Sequence, residues 1–152
     1  MAEGELDSLI LVDCEAVVQG MGFEIVEARA LRGKSGAQVY IVIYTEQGVS
    51  LDSCSEVLKT LRPRIQMLTG DPDVHIEVSS PGLDRVIKTK REYKIFRGRG
   101  MRILEEGHSE WAAGIVTDVT DGTLTLVAGG ASRTFAFLDI RKAKLDHTQE
   151  GV

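Results

Sequence analysis

Eight cations crowd one short stretch of this chain. Arg85, Lys88, Lys90, Arg91, Lys94, Arg97, Arg99 and Arg102 fall within residues 79–102, against only Asp84 and Glu92, so the stretch carries +6. The whole chain carries -5, which leaves -11 on everything else. Charge segregated this sharply repels itself where it is concentrated, and it suits a surface that steers or docks a polyanion. Five of the eight are arginines, whose planar fork matches phosphate. Tyr93 and Phe96 are interleaved and could offer bases a stacking face, though Phe96 would serve equally as core. The plain alternative is a solvated face on a helix and an edge strand, the commoner fate of a charge run. The acidic background and the arginine content weigh toward nucleic acid. Residues 1–78 hold six cations and thirteen acids, a net of -7. That half would repel RNA by itself and would meet basic protein, so a target offering both RNA and lysine-rich protein suits the two signs together.

Other chemistry finds little support. Gly33-Lys34-Ser35 invites a phosphate-loop reading, but such a loop needs a glycine where Ala28 stands, a strand before it and a helix after it. Gly33-Lys34-Ser35-Gly36 also fits the GXXG of a KH domain, which joins two helices; here strands flank it. Ser79 and Ser80 near Asp84 suggest a hydrolase, yet there is no G-x-S-x-G and no histidine with a reason to approach. A turn explains the same residues: Ser-Pro is extended, Pro81-Gly82 suits a type II turn, and Asp84 can bond nearby backbone. Cys14 and Cys54 lie far apart in apolar helical patterns and read as packed thiols in a reducing compartment. His75, His108 and His147 recur at no metal-ligand spacing. No catalytic residue, metal or cofactor is expected.

The elements that must position the basic run come in two sets. Leu6, Leu9, Ile10, Val17, Val18 and Met21 recur at helical spacing, and the helix ends near Gly20 or Gly22. Residues 23–31 read as a strand with Phe23, Ile25 and Ala28 inward, residues 32–37 as a hairpin loop, and residues 39–44 as a second strand. Ser50 caps a helix that buries Leu51, Cys54, Val57, Leu58, Leu61, Ile65 and Leu68, with Pro63 inside it. Val74, Ile76 and Val78 alternate as a third strand. The order α-β-β-α-β makes a two-layer domain with both helices on one sheet face. A short helix over residues 89–96 and five short strands follow, near residues 101–104, 111–119, 123–127, 134–137 and 143–145, with hairpin signals at Asp121-Gly122 and Gly129-Gly130. Five strands in so short a span suggest a small closed barrel, because closure removes unpaired edges. The fold class is α+β. The first domain is set at residues 1–90, ending in the turn and linker, and the second at residues 91–152.

At 152 residues, 43% hydrophobic and 27% charged, the chain has the composition of a soluble globular protein. No apolar run approaches the roughly 20 residues of a membrane span. The acidic N-terminus lacks the features of a signal peptide, so the expected location is the cytoplasm.

Ile76-Glu77-Val78-Ser79-Ser80-Pro81-Gly82-Leu83-Asp84-Arg85 resembles the signature of the bacterial ribosome maturation factor RimP family. Similarity extends through Met21-Gly22-Phe23-Glu24-Ile25-Val26, Ser50-Leu51-Asp52-Ser53-Cys54, Phe96-Arg97-Gly98-Arg99, Gly114-Ile115 and Ile140-Arg141-Lys142-Ala143-Lys144-Leu145. It covers about residues 6–145. The family usually has proline after the signature arginine, where this chain has Val86, and the hairpin over residues 107–110 fits loosely. The resemblance implies an SH3-like or Sm-like barrel behind the α/β domain. It implies a non-catalytic assembly factor that binds the immature 30S subunit, through 16S rRNA and small-subunit proteins, with no membrane or small-molecule partner. A monomer is expected. The eight cations would then meet rRNA, while Ser79, Ser80, Pro81, Gly82, Leu83 and Asp84 set the signature turn. A protein-interaction adaptor with a merely solvated basic run is the alternative of a different class; a serine hydrolase is a third.

Overall fold

A computed structural model describes residues 3–151, in two compact units, one up to Pro81 and one from Gly82. In the first unit α1 (Glu3–Gly20), β1 (Glu24–Gly33), β2 (Gly36–Tyr44), α2 (Leu51–Thr69) and β3 (His75–Ser79) follow in the expected α-β-β-α-β order. The sheet order is β1-β2-β3; β1 and β2 form an antiparallel hairpin, and α2 returns the chain so that β3 lies parallel to β2. The core row of α1 is Leu6, Ile10, Cys14 and Val18, a strict four-residue repeat. Leu9, off that row, is 41% exposed. Val57, Leu61 and Ile65 of α2 complete the layer over Val39, Ile41 and Ile43 of β2.

Local chemistry explains the departures. In β1 Ile25 and Val26 are both buried, because a bulge between Ile25 and Glu27 shifts the phase of alternation. Phe23 stays outside the strand and only partly buried. Ser50 caps α2 as expected, its hydroxyl accepting the Ser53 N–H at 3.0 Å. Leu51 is 89% exposed rather than buried, since the first residue of the helix lies beyond the sheet-facing row. The helix runs on through Pro63 and stops at Gly70, in the left-handed region at φ 70.

The second unit holds α3 (Lys90–Ile95), β4 (Gly100–Glu105), β5 (Ala112–Val119), β6 (Thr123–Ala128), β7 (Ala131–Ala136) and β8 (Ile140–Leu145). These strands form one antiparallel sheet in the order β7-β6-β5-β4-β8. Among the described residues no ladder joins β7 to β8, so hydrogen bonding does not close the expected barrel. Residues 82–90 pack with this unit: the Ile87 N–H donates to Ala143 O and the Leu145 N–H to Arg85 O, each at 2.9 Å, and Val86 bridges Lys144. Gly129 and Gly130, at φ 57 and 82, turn the β6–β7 hairpin as their sequence announces. At Asp121-Gly122 a different device works: the Thr120 hydroxyl accepts from the N–H groups of Gly122 and Thr123, and no residue there needs a positive φ.

Candidate nucleic-acid interface

Glu92 organises the start of the basic run. Its carboxylate accepts Arg85 Nε at 2.8 Å, the N–H groups of Lys88 and Thr89 at 3.1 Å each, and the Thr89 hydroxyl at 3.2 Å. Only 9% of the Arg85 side chain and 1% of that of Glu92 remain exposed. A buried carboxylate needs such donors in place of water. This corrects the expectation that Arg85 meets phosphate: its guanidinium is committed to an internal acid. Tyr93 and Phe96 are likewise buried, so neither offers a stacking face to a base. Burial, with the neighbouring Glu92 charge second, pushes the Tyr93 hydroxyl up to about 12.

The remaining cations divide by what they touch. Arg99 Nε meets Glu150 Oε2 at 2.6 Å, and the Gly100 N–H donates to the same oxygen at 2.9 Å. Burial pushes the Glu150 carboxyl up, but the bonds from Arg99 and Gly100 and the charges of Arg99 and His147 outweigh it and hold the group below its ordinary value. Arg102 lies 5.4 Å from the centre of the Trp111 ring. Arg91 is half-buried. Lys88, Lys90, Lys94 and Arg97 are exposed. Lys94 reaches Asp121 at 3.5 Å while its side chain stays 59% exposed, and so exposed a pair contributes little to stability. Arg97 Nε donates to Thr117 O at 3.0 Å.

A shallow cleft of about 250 Å³ gathers part of this surface. Lys88 and Lys90 line it together with Arg141 and Lys142, over an apolar floor that includes Ile87 and Phe137, and no acid contributes to the wall. Lys90 Nζ stands 5.7 Å from the Phe137 ring centre. Arg141 and Lys142 fall outside the basic run. The signal that could have found them is the strand pairing that brings β8 beside residues 85–87, which spacing along the chain does not reveal.

The signature turn is differently built from its sequence expectation. Gly82 does not take a positive φ, so Pro81-Gly82 makes no type II turn. The hydrogen-bonded turn is Gly82-Leu83-Asp84-Arg85, closed by the Arg85 N–H on Gly82 O at 3.1 Å. Ser79 ends β3 and Ser80 follows it, both exposed. His75, on the same strand, is paired with Glu77 at 3.1 Å. Gly33-Lys34-Ser35-Gly36 turns the β1–β2 hairpin, with no helix on either side, which removes the phosphate-loop and KH readings. Cys14 and Cys54 are free thiols, and burial, with the Asp13 charge second, pushes Cys14 up to about 11.

These features define a class: a two-unit α+β protein, acidic in its first unit and carrying an acid-free cationic cleft in its second. Residues 13–84 match the family model described as the RimP N-terminal domain. The first unit therefore carries a RimP N-terminal domain, which supports a place in the RimP family of ribosome maturation factors.

Proposed function

We propose that the protein is a cytoplasmic maturation factor for the small ribosomal subunit, acting as a monomer. It would bind the immature 30S particle through 16S rRNA and small-subunit proteins, by contact alone, with no catalysis, cofactor or small-molecule substrate. The five-stranded unit would be an SH3-like barrel closed by packing rather than by a ladder; the short helical turn Phe137–Asp139 before its last strand supports that reading. One observation carries the proposal: a RimP N-terminal domain is followed by a cleft whose walls hold Lys88, Lys90, Arg141 and Lys142 and no acid. Lys94 and Arg97 would extend phosphate binding along the surface, and the residues of the Ser79–Asp84 stretch would present a shaped surface to the particle. The acidic first unit would face basic ribosomal protein.

The test is charge reversal. Replacing Lys90, Lys94 and Arg97 with glutamate should weaken association with immature small subunits. It should also lower the salt dependence of binding by about 0.7–0.9 logarithmic slope units for each phosphate that is no longer neutralised. Unchanged affinity and an unchanged salt slope would contradict the proposal. Leu83 and Leu138, 67% and 93% exposed, favour the adaptor reading in part; salt-insensitive capture of a protein partner without RNA would support it instead.

A further inference from the structure

The outward face of the second unit's sheet carries an aromatic group that the basic run does not include. Trp111 immediately precedes β5 and is 37% exposed. Two residues on, Ala113 pairs with Arg102, and Arg102 pairs with Lys144 across β4 and β8. Met101, Ile103, Ala143 and Leu145 are buried, so alternation puts Arg102 and Lys144 on the opposite, outward side. Their charged groups lie 5.4 and 5.8 Å from the indole centre. Arg102 Nε is buried with no hydrogen-bond partner among the described residues, and its guanidinium lies within cation–π range of the ring. Lys142, two residues before Lys144, continues the outward row and also lines the cationic cleft. None of the residues paired with Arg102, Lys142 or Lys144 is acidic. Asp146, whose carboxyl feels the Arg102 charge, is occupied by the Thr148 hydroxyl and N–H and by Gln149.

We propose that this face binds single-stranded RNA, stacking an unpaired base on Trp111 and taking flanking phosphates on Arg102, Lys142 and Lys144. The inference rests on the ribosomal reading above and assigns its RNA binding to a place. An indole flanked by two cations suits a single strand because every unpaired base presents a flat face, whereas a duplex hides its base faces and offers mainly phosphate. An acidic protein segment could use the same cations but would gain nothing from a flat ring.

Trp111 is the only tryptophan, so intrinsic emission of the full chain reports this one place. The chain is titrated with oligouridylate of about twelve nucleotides, with an RNA duplex and with polyglutamate, at about 0.1 M salt. Saturable quenching by oligouridylate, with none from the duplex, is the expected result. Trp111→Ala should weaken binding of labelled oligouridylate roughly 5- to 150-fold, and Lys142→Glu with Lys144→Glu should weaken it and flatten its salt dependence. Absence of quenching in the unmodified chain overturns the proposal without any variant, so a misfolded Trp111→Ala chain does not rescue it. Quenching by polyglutamate alone overturns it in favour of a protein partner. A Trp111→Ala chain that co-sediments with small subunits as tightly as the unmodified chain overturns the stacking site and leaves the ribosomal reading standing. Quenching by oligouridylate in a chain that never co-sediments with small subunits supports the stacking site and overturns the ribosomal reading.

Discussion

Formal charge did not distinguish two kinds of arginine in the basic run. Arg85 and Glu92 form a buried pair, and breaking such a pair leaves an uncompensated charge in the interior. Glu92→Gln should therefore destabilise the protein by about 3–5 kcal/mol, read by urea denaturation. Lys94→Glu and Arg97→Glu, on exposed side chains, should each move stability by less than about 0.5 kcal/mol while weakening subunit binding. A second residue-scale prediction concerns acid. Asp71 Oδ2 accepts the Ala37 N–H at 2.8 Å and Oδ1 the Asp73 N–H at 2.9 Å; these bonds, with the Arg32 charge, hold its carboxyl below the ordinary value against a smaller opposing effect of burial. A depressed folded value means the stabilisation is present above the unfolded pKa near ~4 and is lost as pH falls through the lower folded value. Asp71→Asn should remove this part of the acid dependence, checked by urea midpoints between neutral and strongly acidic pH. Residue types and charges were plain in the chain, but which cation spends its charge internally depends on folding that brings Glu92 onto Arg85, and Arg141 and Lys142 beside Lys88.

At the scale of elements, glycines and edges decide what can change. A Cβ on Gly114 would stand 2.7 Å from Val127 O of the adjacent strand, so backbone must move to admit it. Gly114→Ala should cost about 1–3 kcal/mol, measurable as a lowered melting temperature. Val86 sits at a bridge whose bonds run through Arg85 O and Ile87 N, which turns its own N–H away from β8. Val86→Pro should accordingly keep the fold and change stability by less than about 1 kcal/mol, whereas Ile87→Pro, which removes the bond to Ala143 O, should destabilise. Hydrophobic periodicity disclosed α1, β2, α2 and β3, because each buries one regular face. In β1 it gave Phe23, Ile25 and Ala28, which pack on the core, but missed Val26, buried at the bulge, and Ala30; nor could it show that residues 85–87 add themselves to β8. Asp121-Gly122 marked a hairpin correctly but not the hydroxyl that makes the turn.

The whole molecule is two units with opposite electrostatic characters. The first bears most of the acid; the second carries the cationic cleft and an outward sheet face on which indole and cations meet. That contrast was legible from charge arithmetic alone, and the signature segment pointed to the family that residues 13–84 match. Closure of the second sheet was not legible, because five alternating strands are compatible with an open or a closed ladder and only pairing decides. The central claim is that this chain grips an unfinished small subunit and not a finished ribosome. Gradient sedimentation of cell extract, with detection of this protein across the fractions, tests it most directly. Co-migration with free small subunits that disappears in the Lys90, Lys94 and Arg97 charge-reversal variant is the predicted result. Migration only at the top of the gradient, or equal occupancy of assembled ribosomes, would contradict it.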